Sequence, residues 1–208
     1  MLGDPFVVMN IIGLLAFAIV GSLKGVEADL DLLGVVILGV ITALGGGTLR
    51  DLLVQRVPNS LQSSTDMSLA LFGVGIALIG VWYVEDLVNH PLVTGSDAVG
   101  LATFATTGAL VGHSAGVSPF GIAILAMVTG VGGGSMADLV RGRIPFVLVE
   151  DFYATCALAG GVVFWFSVWI GATTQSGAFG CAATTLMMRL LAIHRGWHLP
   201  KMSRVQSL

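Results

Sequence analysis

Charged side chains are scarce in this sequence. Asp, Glu, Lys and Arg make up 10% of its 208 residues, whereas a soluble domain carries about a quarter. Mean hydropathy is +0.94. Many of the 29 glycines lie inside apolar runs, as small residues do where membrane helices pack closely. This composition excludes a water-soluble globule and indicates a chain whose solvent is the bilayer.

The sequence also lacks the signals of common enzymes and pumps. It has no Walker A motif, no Ser-His-Asp pattern and no His/Cys cluster with metal-site spacing. Cys156 and Cys181 lie in apolar stretches, which favours buried thiols over a disulfide. The formal charge of −3 gives no basic footprint for nucleic acid. We therefore predict no enzyme activity, no cofactor, no structural metal and no nucleic-acid partner.

Apolar segments long enough to cross a bilayer fill most of the chain. A spanning helix needs about 20 mostly apolar residues. The predicted spans are 5–23, 32–56, 67–84, 97–113, 119–142, 152–171 and 176–194. The connections are short, and the N-terminus has no basic region, so no cleavable signal peptide is expected. The predicted fold class is an all-α integral membrane protein, a single transmembrane domain over residues 1–208 with seven helices.

The distribution of basic residues predicts the orientation. Loops on the cytoplasmic side of a membrane carry the excess of Lys and Arg. One side receives Lys24, Arg141, Arg143, Arg189, Arg195, Lys201 and Arg204. The other side receives only Arg56, with Arg50 nearby. We therefore expect a cell-membrane protein with its N-terminus outside and its C-terminus in the cytoplasm, where the basic tail would contact anionic lipid.

A long internal repeat is the most informative feature of the sequence. Residues 45–58, GGGTLRDLLVQRVP, return 87 positions later as residues 132–145, GGGSMADLVRGRIP, with seven of fourteen positions identical. The same offset matches further pairs without a gap: Gly13/Gly100, Phe17/Phe104, Gly21/Gly108, Gly25/Gly112, Gly34/Gly121, Leu38/Leu125 and Thr42/Thr129. Each copy holds three predicted spans, so the copies should insert in opposite orientations, as in many transporters and some channels. We place repeat one at about 5–90, repeat two at about 92–175 and an extra helix at about 176–195.

Glycine triplets lie near the middle of the second and fifth predicted spans. They are Gly45, Gly46 and Gly47 in the first copy, and Gly132, Gly133 and Gly134 in the second. Each glycine costs a helix about 1 kcal/mol relative to Ala, so the triplets predict kinks near the bilayer midplane. Freed carbonyls there, with the hydroxyls of Thr48 and Ser135, can replace the water around an ion. The alternative is that the glycines merely allow tight helix packing.

An acid lies one turn past each triplet, Asp51 in one copy and Asp138 in the other. A carboxylate at this depth is costly unless it is paired or hydrated, which predicts a wet vestibule at each end of an hourglass. Arg50 adjoins Asp51, and Arg141 lies three residues after Asp138, so structural ion pairs are an open alternative. Because Ala137 replaces the arginine in the second copy, we expect Asp138 to be the less neutralised acid.

The paired motifs resemble those of the prokaryotic TRIC (trimeric intracellular cation) channels, whose relatives also carry the description of glycine-transporter-like proteins. The resemblance covers essentially the whole chain. It implies a homotrimer with an hourglass pore in each subunit, kinked at the glycine triplets and permeable to monovalent cations, potassium foremost, with sodium also permeant. It implies pore-lining or gating roles for Thr48, Arg50, Asp51, Ser135 and Asp138. Ala137 departs from the family pattern, which expects an arginine.

Two other functions fit the same sequence features. A secondary transporter for a small zwitterion such as glycine also uses inverted repeats and broken helices. A non-conducting structural membrane protein is a third possibility, although it leaves the deep acids unexplained. Strict carbonyl-ring selectivity is not expected, because no TVGYG sequence is present.

Overall fold

The computed structural model describes residues 4–62, 64–83, 90–149 and 152–197. All regular structure in these residues is helical. The helices are α1 Pro5–Glu27, α2 Leu32–Leu53, α3 Asn59–Gln62, α4 Ser64–Tyr83, α5 Pro91–Ser114, α6 Pro119–Val140, α7 Phe146–Val149, α8 Ala154–Trp169 and α9 Thr174–Arg195. The basic tail residues Lys201 and Arg204 lie outside the described part of the chain.

Helix starts follow local capping chemistry. The Asp31 carboxylate accepts a hydrogen bond from Gly34 N at 2.7 Å, and the Ser118 hydroxyl accepts one from Gly121 N at 3.1 Å. These caps begin α2 and α6 at positions 87 residues apart. Each satisfies one of the backbone N–H groups that a helix start leaves without a partner. The two copies of the repeat therefore begin their second long helix by the same device.

Five helices are long and apolar enough to cross a membrane: α1, α2, α4, α6 and α9. Helix α8 is apolar but has only 16 residues. Helix α5 has 24 residues but is too polar over its length to qualify on composition. The chain is thus an all-helical membrane protein, and the described residues contain a helix in each of the seven predicted spans.

The structure corrects several predicted boundaries. Helix α2 ends at Leu53 rather than residue 56, and α5 begins at Pro91 rather than residue 97. The four-residue helices α3 and α7 were not predicted, because each is too short to show a periodic pattern. Both α2 and α6 are helical throughout, so neither helix is broken at its glycine triplet. The kink itself stays a prediction.

The helices pack around α1, α2, α5 and α6. Helix α1 packs on α2 and α5, and α6 packs on α5 and α2. Helix α4 packs mainly on α1, whereas α8 packs mainly on α6 and α9. Helix α9 also packs on α5. The helix outside the repeat therefore covers the second copy, where it introduces side chains without a counterpart in the first.

Contacts inside this core recur at the repeat offset. Phe17 and Phe104 form an edge-to-face pair with ring centroids 5.1 Å apart. A Cβ on Gly13 would collide with the Phe104 ring, and one on Gly100 would collide with the Phe17 ring. Each glycine thus makes room for the phenylalanine of the other copy. Reciprocal contacts of this kind are what a two-fold relation between the copies produces.

Candidate functional site

The site is built around the crossing of α2 and α6. A Cβ on Gly46 would collide with the Thr129 carbonyl oxygen, and one on Gly133 would collide with the Thr42 carbonyl oxygen. The remaining two contacts are looser: a Cβ on Gly45 would lie 3.2 Å from the Gly133 Cα, and one on Gly132 would lie 3.3 Å from the Gly46 Cα. Gly46 and Gly133 therefore let two backbones approach where no larger side chain fits, and Gly45 and Gly132 lie in tight contact beside them.

The third glycine of each triplet has a different environment. Nothing lies within 4 Å of a Cβ built on Gly134, and a Cβ on Gly47 would meet only the Arg50 guanidinium, at 3.7 Å. Gly47 also lines a cavity together with Thr48. Packing thus accounts for the first two glycines of each triplet, and the third leaves open space beside the crossing.

The hydroxyls that follow the triplets bond to their own helices. Thr48 Oγ1 donates to the Leu44 carbonyl at 2.8 Å, and Ser135 Oγ donates to the Val131 carbonyl at 2.8 Å. Thr48 Oγ1 also lies 2.9 Å from Ser60 Oγ. Because Thr48 donates to Leu44, the Ser60 hydroxyl donates to Thr48 Oγ1, which leaves one lone pair on Thr48 and two on Ser135 Oγ for a further partner.

Asp51 is held in a tight, buried ion pair. Its Oδ1 accepts from Arg50 Nε at 2.9 Å and lies 2.8 Å from Arg50 Nη2, and both side chains are at least nine-tenths buried. Its Oδ2 accepts from the Asn59 N–H at 2.9 Å, at the start of α3. Arg50 Nη1 lies 3.4 Å from the Thr107 hydroxyl, and the guanidinium lies 5.5 Å from the centroid of the Phe6 ring.

Asp138 is paired more loosely. Its Oδ1 lies 3.9 Å from Lys24 Nζ and 3.8 Å from Arg141 Nη1, both beyond hydrogen-bonding distance. Its Oδ2 accepts from the Phe146 N–H at 2.8 Å, at the start of α7. Two cations therefore face Asp138 although Ala137 supplies none, and one of them, Lys24, comes from α1. Sequence reasoning used Lys24 as one of the basic residues of the cytoplasmic side and missed this contact.

One oxygen of each aspartate has the same structural task. Asn59 and Phe146 are 87 positions apart, and each begins a four-residue helix whose first N–H is bonded to an aspartate Oδ2. The other oxygen, Oδ1, faces the cations. The motif thus fixes both carboxylates through the turn that follows them, and only Oδ1 is free to differ between the copies.

A second polar pair flanks each aspartate, and sequence reasoning missed it. In the first copy, Asn10 Nδ2 donates to Asp66 Oδ1 at 3.1 Å. In the second copy, the Tyr153 hydroxyl donates to Asp97 Oδ1 at 3.0 Å. The matched positions, Asn10 with Asp97 and Asp66 with Tyr153, have exchanged donor and acceptor. The sequence signal that could have indicated this pair is Asp66, an acid at the edge of an apolar run.

Cavities adjoin both ends of the site. Asp51 lines one of about 10 Å³, room for the centre of one water molecule, and, with Arg50 and Arg56, a second of about 390 Å³. On the opposite side, a cavity of about 240 Å³ is lined by Lys24, Glu27, Asp97, Phe146 and Arg189. Within the described residues, no group of three His, Cys, Asp or Glu side chains could hold a metal ion. The site can therefore offer oxygen atoms and charges to a transient ion at both ends.

Comparison with known proteins places this architecture in a family. The family model described as "Glycine transporter" matches twice, at residues 7–82 and 95–169. A membrane protein of Deinococcus radiodurans is 40% identical over 161 residues, 76% of this chain and 74% of its own. The membrane protein YvgT of Bacillus subtilis is 34% identical over 198 residues, 94% of this chain and 95% of its own.

Solved structures agree with these sequence relatives. A structure described as the basis for conductance through TRIC cation channels superposes with a TM-score of 0.88 at 31% identity, covering 97% of this chain and 98% of that one. A prokaryotic TRIC channel crystallised in 0.5 M KCl gives 0.85 at 34% identity, covering 93% and 98%. The Rhodobacter sphaeroides orthologue of the trimeric intracellular cation channel gives 0.82 at 28% identity, covering 92% and 98%. The chain belongs to the prokaryotic TRIC channel family.

Proposed function

We propose that this protein is a potassium-permeable cation channel. Each subunit of a homotrimer would carry its own hourglass pore, passing potassium and, less selectively, sodium. The main observation behind this proposal is that α2 and α6 cross in close contact at their glycine triplets, with one buried aspartate on each side of the crossing. Each aspartate accepts a hydrogen bond from the first N–H of the short helix that follows it. The solved relatives described as cation channels, at TM-scores of 0.82–0.88, support it.

The pathway runs past the third glycines of the triplets. Gly47 and Gly134 leave space beside the crossing, and the Thr48 and Ser135 oxygens lie one residue further along each helix. Gly45, Gly46, Gly132 and Gly133 form the waist by holding the helices together. Bending at this waist, as the triplets predict, would widen the passage. In this pathway Asp51 and Asp138, with Arg50 beside Asp51, set the charge of the two mouths.

The surroundings of the channel follow from the same reasoning. All seven long helices span the membrane, the N-terminus is outside, and the C-terminus is cytoplasmic. The crossing then lies near the midplane, with the Asp51 mouth outward and the Asp138 mouth toward the cytoplasm. The partners are two further copies of the chain and the surrounding lipid. No resident cofactor takes part, since the permeant ion is the substrate.

Asp138→Asn tests the role of a pore carboxylate. Asparagine keeps an oxygen that can accept from the Phe146 N–H, so the fold should persist, while the charge facing the passage is lost. We expect potassium conductance to fall severalfold and the preference for cation over anion to weaken. Single-channel recording in planar bilayers measures both quantities.

Asp31→Asn is the matched control, because it removes the same charge from an exposed helix cap that asparagine also fills. Its conductance and reversal potential should equal those of the unaltered protein. Unchanged conductance and ion preference in Asp138→Asn would contradict the role of Asp138. Glycine transport, which the family description names, is not favoured by the solved relatives and predicts saturable uptake instead of unitary currents.

A further inference from the structure

The two copies place their cations at different positions of the repeat. In the first copy Arg50 on α2 pairs with Asp51, and the matching position of the second copy is Ala137. In the second copy Lys24 on α1 faces Asp138, and the matching position of the first copy is Val111. The first copy thus carries its cation on its second long helix, at the position of Arg50 and Ala137. The second copy takes its cation from the position of Lys24 and Val111, on the first long helix of each copy.

A second exchange accompanies the first. Arg141 and Glu27 form an ion pair at 3.7 Å beside Asp138, and their matched positions in the first copy are Val54 and Ser114, which carry no charge. The ion pairs at Asp51 therefore join one cation to one acid, whereas those at Asp138 join two cations, Lys24 and Arg141, to two acids, Asp138 and Glu27. The exchanges change the geometry of the ion pairs around each aspartate.

The exchanged cations are held with different strength. Arg50 makes two contacts of 2.8–2.9 Å to one carboxylate oxygen, and its side chain is 4% exposed. Lys24 lies 3.9 Å from Asp138, and its side chain is 24% exposed. The planar guanidinium of Arg50 is fixed by its fork geometry, whereas the lysine ammonium is a point charge on a flexible stem. Lys24 also lines the cavity of about 240 Å³ beside Phe146.

We propose that Lys24 is the displaceable counter-ion of Asp138, which a permeant monovalent cation replaces when it enters the cavity that Lys24 lines. Asp138 Oδ1 is then the oxygen that binds the ion at the Asp138 mouth. At the Asp51 mouth, Arg50 occupies the equivalent oxygen, Asp51 Oδ1, so that an ion cannot bind it. The two mouths therefore bind cations unequally, and the current rectifies. This inference rests on the proposed channel function.

The other two cations near Asp138, Arg141 and Arg189, are held by further contacts, so Lys24 is the cation that can move away. The Arg141 side chain is 5% exposed and lies between Asp138 and Glu27. Arg189 is placed over the Phe146 and Tyr153 rings, with its guanidinium 5.9 and 4.7 Å from their centroids. Lys24 Nζ lies 5.3 Å from the Phe146 centroid, so the same ring can receive the ammonium when the ion occupies Asp138.

Lys24→Val, which installs the residue found at position 111, removes the competing charge. We expect the potassium concentration at half-maximal conductance to fall about fivefold or more, the factor that one unit charge at 4 Å gives even in bulk water. Rectification should change with it, because only one mouth is altered. The measurement is single-channel conductance against KCl concentration, varied on the side of the C-terminus.

Two further variants separate charge displacement from a general disturbance. Lys24→Arg keeps the charge and should stay near the unaltered half-saturation concentration. Adding Ala137→Arg to Lys24→Val recreates the pairing of the first copy, and half-saturation should return to the native value or exceed it. If Lys24→Val conducts with unchanged half-saturation and rectification, the proposal is wrong.

Equilibrium binding distinguishes this proposal from the channel function itself. Radioactive rubidium binding to detergent-purified protein needs no conduction, and Lys24→Val should bind rubidium about fivefold more tightly than the unaltered chain. Added Asp138→Asn should abolish that gain. A protein that shows the gain but never conducts would refute the channel and retain the displaceable counter-ion. Equal rubidium affinity in all three proteins would overturn the counter-ion whether or not current is seen.

Discussion

Asp51→Asn is expected to lower the free energy of unfolding by about 3–5 kcal/mol, as happens when one partner of a buried ion pair is removed. The substitution leaves the Arg50 guanidinium, whose side chain is 4% exposed, without its counter-charge. Asparagine can still accept from the Asn59 N–H, so the loss is that of the ion pair rather than of the turn. Thermal unfolding followed by size-exclusion fluorescence in detergent measures it.

The control is the double variant Arg50→Met/Asp51→Asn. Removing both charges leaves no buried ion, so most of the lost stability should return. The matched change Asp138→Asn should cost less, because Lys24 is a quarter exposed and can turn to water. Equal destabilisation by Asp51→Asn alone and by the double variant would show that the ion pair is not the source of the effect.

Gly133→Ala should be the most damaging single-methyl change in the described residues of α6. The added Cβ would collide with the Thr42 carbonyl of α2, and a backbone atom cannot turn aside as a side chain can. Overpacking usually costs about 1–3 kcal/mol, and we expect the upper end or more. The helices must separate, so stability and conduction should both be lost, as measured by thermal unfolding and bilayer recording.

Gly134→Ala, one residue away, is the matched control. Nothing lies within 4 Å of its added Cβ, and alanine favours a helix over glycine by about 1 kcal/mol. This variant should therefore fold at least as stably as the unaltered chain. If its conductance falls while its stability holds, Gly134 contributes space or flexibility to the passage. Comparable destabilisation by both variants would contradict the assignment of Gly133 to the crossing.

The repeat offset is what made much of the fold predictable. Matching Gly13 with Gly100 and Phe17 with Phe104 in the sequence anticipates contacts that the structure places reciprocally across the two copies. Five helices were predictable as membrane spans from apolar length, since each span must satisfy its own backbone groups. Helix α5 begins six residues before its predicted start. Polar residues in its first turns hid this part of the helix from a search for apolar length, and the His90 side chain caps its first turn.

The glycine triplets carried two predictions, kinks near the midplane and tight helix packing. The structure shows close packing at Gly46 and Gly133, where a Cβ would collide with the backbone of the other helix. Both helices remain helical through their triplets, and the kink stays a prediction. The sequence shows the local cost of glycine in a helix but not which helix each glycine contacts.

The cations around Asp138 could not be placed from local sequence. Arg141 was visible at helical spacing, but Lys24 is 114 positions away and meets Asp138 only after α1 and α6 pack. The pairing of Asp66 with Asn10 has the same origin, across 56 positions. Local pattern gives the presence of a buried acid, while its partners depend on the three-dimensional approach of helices. That distinction is why the acids were predicted and most of their neighbours were not.

Single-channel recording of the purified protein in a planar bilayer, under a potassium chloride gradient, tests the channel function most directly. We predict discrete openings that reverse near the potassium equilibrium potential, with unequal conductance in the two directions. Silence at all voltages, together with saturable uptake of labelled glycine into proteoliposomes, would contradict the channel and establish a transporter.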